Sequence, residues 1–358
     1  MIDLCGMDSG NWKKWVYIWL WAGFIMILFQ IFLGGVTRLT GSGLSITKWD
    51  IVTGIKYPFS ESEWDIHFNL YKKTPQYLKI NSGINLTEFK YIFFWEYFHR
   101  LWARLMGFVF VIPFIIFLLK RVLPKSLIID LLVVILLASL VASLGWIMVA
   151  SGLVNRPWVN AYKLSFHLLA AVALLSYLLW TIWKYRISGS SFTMIQSSFT
   201  YGMIVLIPIM LIIQVGLGGV MAGMKAALVA PTWPDINGVW IPEEIKSIGN
   251  YSDYLFNEYE LNASSGIIMH FLHRGLAYVI ALLSLILFVL SYKLGDLRVF
   301  RNSFIIFILV IMQLILGVLT ILGSVGQIPI WFAVSHQLLG IGLYSMSIYN
   351  LFGVKRSF

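Results

Sequence analysis

Of the 358 residues, 59% are hydrophobic and 12% charged, and the mean hydropathy is +0.83. These values exclude a soluble globular domain and place the chain in a lipid bilayer. The formal charge of +10 comes from 26 Lys and Arg against 16 Asp and Glu. The basic residues are scattered between apolar runs and form no continuous basic face, so nucleic acid is excluded as a partner and the excess reads as membrane topology. The single cysteine, Cys5, rules out an internal disulfide and Cys-ligated zinc or iron–sulfur chemistry, which leaves histidine to carry any metal.

A bilayer core of about 30 Å needs roughly 20 apolar residues per helix, and eight stretches meet that length: about 15 to 36, 91 to 119, 127 to 150, 161 to 183, 201 to 222, 267 to 291, 303 to 325 and 328 to 353. Met1 to Lys14 contains Asp3 and Asp8 and precedes an apolar run too long for a signal peptide, with no small-residue cleavage pattern behind it, so the first span is expected to stay as an anchor. Two connections, about 37 to 90 and 223 to 266, are long and mix Trp, Pro, Gly and charges; both are expected as lids on one side of the membrane. Lys13 and Lys14, then Lys120, Arg121 and Lys125, then Lys184 and Arg186, then Lys293, Arg298 and Arg301, and finally Lys355 and Arg356 fall at alternate ends of the spans. The opposite side has only Arg156 and Lys163 in its short connections. Cytoplasmic loops retain positive charge, so both termini are expected in the cytoplasm and both long loops outside it.

The chain repeats itself. QIFLGGV (Gln30 to Val36) ends the first span and QVGLGGV (Gln214 to Val220) the fifth; EYFHR (Glu96 to Arg100) lies near the start of the second span and HFLHR (His270 to Arg274) near the start of the sixth. The fourth and eighth spans each carry one histidine near their beginnings, His167 and His336. The expected fold is therefore all-α and integral to the membrane, with eight transmembrane helices in two tandem four-helix bundles, 1–199 and 200–358, related by a pseudo-twofold axis along the membrane normal. An even number of spans per repeat keeps both halves in one orientation, unlike the inverted repeats of many transporters.

Counted from the estimated span starts, His99, His167, His273 and His336 lie about six to eight residues in, or about 9 to 12 Å at 1.5 Å per residue, near one face. Ionisable groups within a span are costly and are usually functional. Facing histidines, His99 with His167 and His273 with His336, are what a six-coordinate haem iron requires. Core histidines satisfied by neighbouring hydroxyls are the plain alternative, and a di-copper or zinc site is a second, although a compact site of that kind would draw ligands from two bundles. Arg100 and Arg274 follow the histidines where guanidinium groups would meet haem propionates, unless they only snorkel to the surface. The halves differ one turn before the histidine, where Glu96 stands in the first and His270 in the second. A carboxylate there can move protons beside a substrate, so the first half is expected to be the chemical site, with an ion pair to Arg100 at i+4 as the structural alternative for Glu96. His67, in the first long loop, is expected to be solvated.

TRLTGSGLS (Thr37 to Ser45) and the Trp-containing stretch after it, EYFHR, YKLSFH (Tyr162 to His167), HFLHR and SHQLLG (Ser335 to Gly340) together resemble the haem A synthase family (Cox15/CtaA). The resemblance covers nearly the whole chain and is to the alphaproteobacterial and mitochondrial branch; the branch with a cysteine pair in the first loop is excluded by composition. It implies an oxidoreductase that hydroxylates the C8 methyl of haem O twice, the gem-diol then losing water to leave the formyl group of haem A for cytochrome c oxidase. It also implies that His99 and His167 flank the substrate haem with Glu96 assisting catalysis, that His273 and His336 ligate a haem b cofactor, and that the protein sits in the bacterial inner membrane. Haem O, the lipid bilayer, an unidentified electron-transfer partner, haem O synthase and a second copy of the chain are the partners to consider. Two other classes stay open: a diheme electron-transfer cytochrome, which would not need Glu96 in one half only, and a membrane haem transporter or chaperone, which would bind haem O without converting it.

Overall fold

The computed structural model describes residues 9–47, 56–152, 157–186, 192–246, 259 and 263–356. Cys5, Asp3, Asp8 and Arg156, used above, lie outside the described residues. The helices are α1 (Ser9–Leu39), α2 (Glu61–Tyr71), α3 (Pro75–Lys79), α4 (Leu86–Leu119), α5 (Lys125–Gly152), α6 (Ala161–Arg186), α7 (Ser198–Gly223), α8 (Glu243–Lys246), α9 (Ala263–Leu294), α10 (Leu297–Leu322) and α11 (Ile330–Phe352). Seven of these, α1, α4, α5, α6, α7, α9 and α10, are long and apolar enough to cross a membrane. The protein is thus a multi-pass, mainly helical membrane protein. Helix α11 has 23 residues, but Ser335, His336, Gln337, Ser345, Ser347 and Asn350 lower its apolar character.

Two compact units divide the chain: Met1–Val159 with Ala170–Ser190, and Asn160–Leu169 with Ser191–Phe358. They differ from the sequence halves chiefly in α6, whose first turns belong to the second unit. The reason is a face of small residues on α7. A Cβ on Gly223 would lie 2.5 Å from the Ala161 Cα, one on Gly219 3.0 Å from Ser165, and one on Gly216 3.4 Å from Leu169. Absent side chains let the two backbones approach, and the Ser165 hydroxyl donates to the Gly216 carbonyl at 2.7 Å.

In the first unit, α1 packs along α4, and Asp130 of α5 accepts from the Tyr177 hydroxyl at 3.1 Å and from Lys184 at 2.8 Å, both on α6. The first long loop is not irregular: it contains α2 and α3. Helix α2 starts with a capping box in which Ser60 and Glu63 satisfy each other's backbone amides. Its buried Trp64, Phe68 and Tyr71 then fall on one face and cluster with Phe89, Ile92 and Phe93 of α4. His67 is not solvated as expected but half-buried, its ring centroid 5.5 Å from that of Phe93.

In the second unit, α7, α9, α10 and α11 enclose a core that includes Met203, Ile207, Leu211, Ile280, Leu287, Ile306, Val310 and Leu343. A short parallel pair, β1 (Thr193–Ile195) with β2 (Val354–Arg356), ties the start of α7 to the end of α11. The helices outrun the apolar spans: α4 starts at its own capping box, Asn85 with Glu88, and α9 at Ala263. His99 therefore lies more than three turns into α4 and His273 nearly three turns into α9, whereas His167 and His336 stand less than two turns from their helix starts. Helix starts do not mark one membrane face, so the common depth expected from counting is not a common distance along the helices.

Candidate functional site

In the second unit, α9 and α11 bring His273 and His336 together, ring centroids 6.4 Å apart and planes at 63°. Metal–imidazole bonds are about 2.0 to 2.1 Å, so two rings ligating one ion from opposite sides have centroids roughly 6 Å apart. Among the described residues no three His, Cys, Asp or Glu side chains gather as a metal site, so this is a two-ligand arrangement. The Gln313 amide donates to the His336 carbonyl at 2.8 Å, and His336 Nδ1 lies 3.1 Å from the Gln313 carbonyl. A carbonyl only accepts, so Nδ1 carries the proton and Nε2 keeps its lone pair for a metal. The Gln214 amide donates to the His273 carbonyl at 2.9 Å and lies 3.3 Å from His273 Nε2; His273 Nδ1 is buried with no hydrogen bond. The residue types and ring spacing fit a haem iron, which His273 and His336 would hold.

One turn before His273, His270 is fully buried and neither ring nitrogen has a hydrogen-bond partner. Arg274 is buried too. Its guanidinium donates to the Asp235 carbonyl at 2.8 Å and to the Thr232 carbonyl, while its Nε has no hydrogen bond. It thereby pins the second long loop to α9, next to a contact in which the Trp233 indole donates to the Tyr278 hydroxyl at 3.2 Å.

In the first unit, the Gln30 amide of α1 donates to the His99 carbonyl at 3.1 Å, and a Cβ on Gly34 would lie 3.2 Å from His99 Nε2. Glu96 is 2% exposed. One carboxylate oxygen pairs with Arg100, as the i+4 spacing allows; the other accepts from the Ser45 hydroxyl at 2.6 Å and the Ile46 amide at 2.8 Å. The Thr37 hydroxyl donates to the Trp95 carbonyl at 3.2 Å, and Gln76 of α3 holds the Gly41 carbonyl at 2.8 Å. The TRLTGSGLS segment is thus stitched across α4 around Glu96. His167, half-buried on the first turns of α6, belongs to the second unit and His99 to the first.

The reading from sequence missed Gln30, Gln214 and Gln313. Their signal was present: each is a polar amide in an apolar span, where such groups are costly, and each is followed four residues later by a glycine, Gly34, Gly218 or Gly317.

Fold and site define a multi-pass helical membrane protein with a histidine pair, His273 of α9 and His336 of α11, brought ring to ring. Residues 17–348 match COX15-CtaA, described as cytochrome oxidase assembly protein. The chain belongs to that family. It is 37% identical over 338 residues to the heme A synthase of Wolbachia pipientis wMel, covering 94% of this chain and 92% of that one. It is 37% identical over 348 residues to the heme A synthase of Ehrlichia ruminantium, covering 97% and 95%, and 34% identical over 347 residues to that of Rickettsia africae, covering 96% and 99%.

Proposed function

We propose that this protein is a haem A synthase, an oxidoreductase that converts the methyl group of haem O to the formyl group of haem A. The reading is carried by the His273–His336 pair, spaced for one iron, in a chain whose relatives of that name align over most of their length. His273 and His336 would hold haem b, which would supply electron transfer when bound. The protein's own residues do the rest in that half: Gln313 fixes the His336 tautomer, and Arg274, held by the loop carbonyls, places a cation one residue beyond His273.

Haem O is the substrate of the first half, with His99 and His167 as the residues that flank its iron and Arg100 as the cation near its carboxylates. Glu96 is the proton-transfer group there. Support comes from its burial and from three donors, the Ser45 hydroxyl, the Ile46 amide and Arg100, which hold its carboxyl group at a fixed place. With water as the source of the oxygen atom, oxidation of a methyl to a formyl group releases electron pairs and protons, so an electron acceptor is required as a partner; haem O synthase and a second copy of the chain are further candidates.

The chain crosses the inner membrane eight times, Ile330–Phe352 being the eighth crossing, with sequence halves 1–199 and 200–358 built alike and both termini cytoplasmic. Supporting this, α1 meets α4 as α7 meets α9, through a glutamine amide on a histidine carbonyl, and Lys and Arg cluster at one set of loop ends. The test is expression in cells that accumulate haem O, followed by extraction and identification of the haems. Haem A is the expected product; bound haem O with no conversion would make the protein a carrier, and haem b alone an electron-transfer cytochrome.

A further inference from the structure

We propose that Gln30, Gln214 and Gln313 are positioning residues, each a bracket that sets the height and ring orientation of one iron-facing histidine: His99, His273 and His336 respectively. The inference deepens the haem-binding reading above and rests on it. Three separate helix pairs show the same geometry. In each, the glutamine Nε2 donates to the backbone carbonyl of the histidine, at 3.1, 2.9 and 2.8 Å. In each, the glycine four residues later lies on the same helical face, and a Cβ there would stand 3.2, 3.1 or 3.1 Å from the imidazole. The ring therefore lies against bare backbone, with the amide one turn away gripping the main chain that carries it.

A helix carbonyl already serves the amide four residues on, so the glutamine uses its second lone pair. Such a bond is not needed to complete the helix; it fixes one helix against the next at the level of the histidine. The cost supports a purpose, because all three glutamine Oε1 atoms are buried with no hydrogen-bond partner, a penalty that an apolar residue of similar size would avoid. At His336 the bracket reaches the ring as well, through the bond from His336 Nδ1 to the Gln313 carbonyl. Outer groups of this kind orient metal-ligating imidazoles and tune their basicity. Counting from the helix starts, α5 has Val141 and Gly145 where α10 has Gln313 and Gly317. The series there retains the glycine but not the glutamine, so the inference is confined to three histidines.

The test uses the full chain purified with its haem, as wild type and as Gln214→Leu and Gln313→Leu. Both variants are expected to bind haem b about 10- to 100-fold more weakly. The haem that remains should show a shifted largest g value in the ferric electron paramagnetic resonance spectrum and a shifted midpoint potential. Gln30→Leu should leave that haem b spectrum unchanged and lower kcat for haem O. A role in folding alone would reduce yield without moving g values or potential. If a leucine variant does not fold, Gln214→Met and Gln313→Met, flexible and of similar length, serve the same comparison. Wild-type g values, potential and haem affinity in the folded variants would overturn the bracket while leaving the haem-binding reading intact. Absence of low-spin haem from the wild-type chain would overturn that reading, and the bracket with it.

Discussion

Gln313 and His336 hold each other reciprocally: the glutamine side chain donates to the histidine carbonyl at 2.8 Å, and the imidazole Nδ1 donates to the glutamine carbonyl at 3.1 Å. The pair fixes both the position of α11 against α10 and the tautomer of a ring whose other nitrogen is then free for iron. Under the proposed reading, this places one ligand of the cofactor before the cofactor arrives.

Glu96 is the test of chemistry in the first half. Glu96→Gln keeps the size of the side chain but removes the anion that Ser45, Ile46 and Arg100 surround. Conversion of haem O is expected to fall about 10² to 10⁴-fold, the usual range for lost general acid–base assistance, with haem b content unchanged. Turnover near wild type in the purified variant would reduce Glu96 to a structural anchor of the TRLTGSGLS segment.

The contact between α6 and α7 predicts a sharp contrast between two glycines of one helix. Gly223→Ala places a methyl group 2.5 Å from the Ala161 Cα and should destabilise the second unit by about 1 to 3 kcal/mol. Gly202→Ala meets open space and should be neutral or stabilising by about 0.5 to 1 kcal/mol. Thermal unfolding in detergent separates them; equal midpoints would refute the close approach.

The two cases also show what was legible. The glycines of QVGLGGV stood out as a repeat, but a repeat does not say which neighbour each glycine admits; the structure assigns Gly216 and Gly219 to α6 and Gly218 to the His273 ring. The apolar runs were legible because length and hydropathy are properties of one segment. Helix α2 was hidden inside a mixed loop, although Ser60 with Glu63 and then Trp64, Phe68 and Tyr71 spell a capping box and an apolar face. The loop-to-helix bonds of Glu96 and Arg274 join residues far apart in the chain, and nothing local in the sequence encodes such pairings.

Burial lowers the pKa of His67 below its ordinary value, with nearby Glu63 opposing the shift. A histidine with a depressed folded pKa favours the folded state above its unfolded value of about 6.5 and loses that contribution as pH falls below it. The packing of α2 on α4 should therefore weaken as the pH falls below about 6.5. Hydrogen exchange of the α2 amides reports this, and His67→Phe should remove the dependence; equal protection in wild type and variant across that range would contradict it.

Arg274→Gln should release the second long loop from α9, since hydrogen bonds from a charged donor contribute about 1.5 to 3 kcal/mol. Faster exchange or proteolysis around Thr232 and Asp235 is expected, while exchange in α2 stays as in the wild type. Unchanged protection at Thr232–Asp235 would show that the loop is held by other contacts.

The division of labour between the halves is tested most directly by extracting and identifying the haems bound to purified His273→Ala and His99→Ala proteins from cells that accumulate haem O. The expected result is that His273→Ala loses its low-spin haem b, whereas His99→Ala keeps haem b at the wild-type ratio and yields no haem A. Haem b retained in His273→Ala and lost in His99→Ala, or haem A still formed by His99→Ala, would contradict the assignment of cofactor and substrate to the two halves.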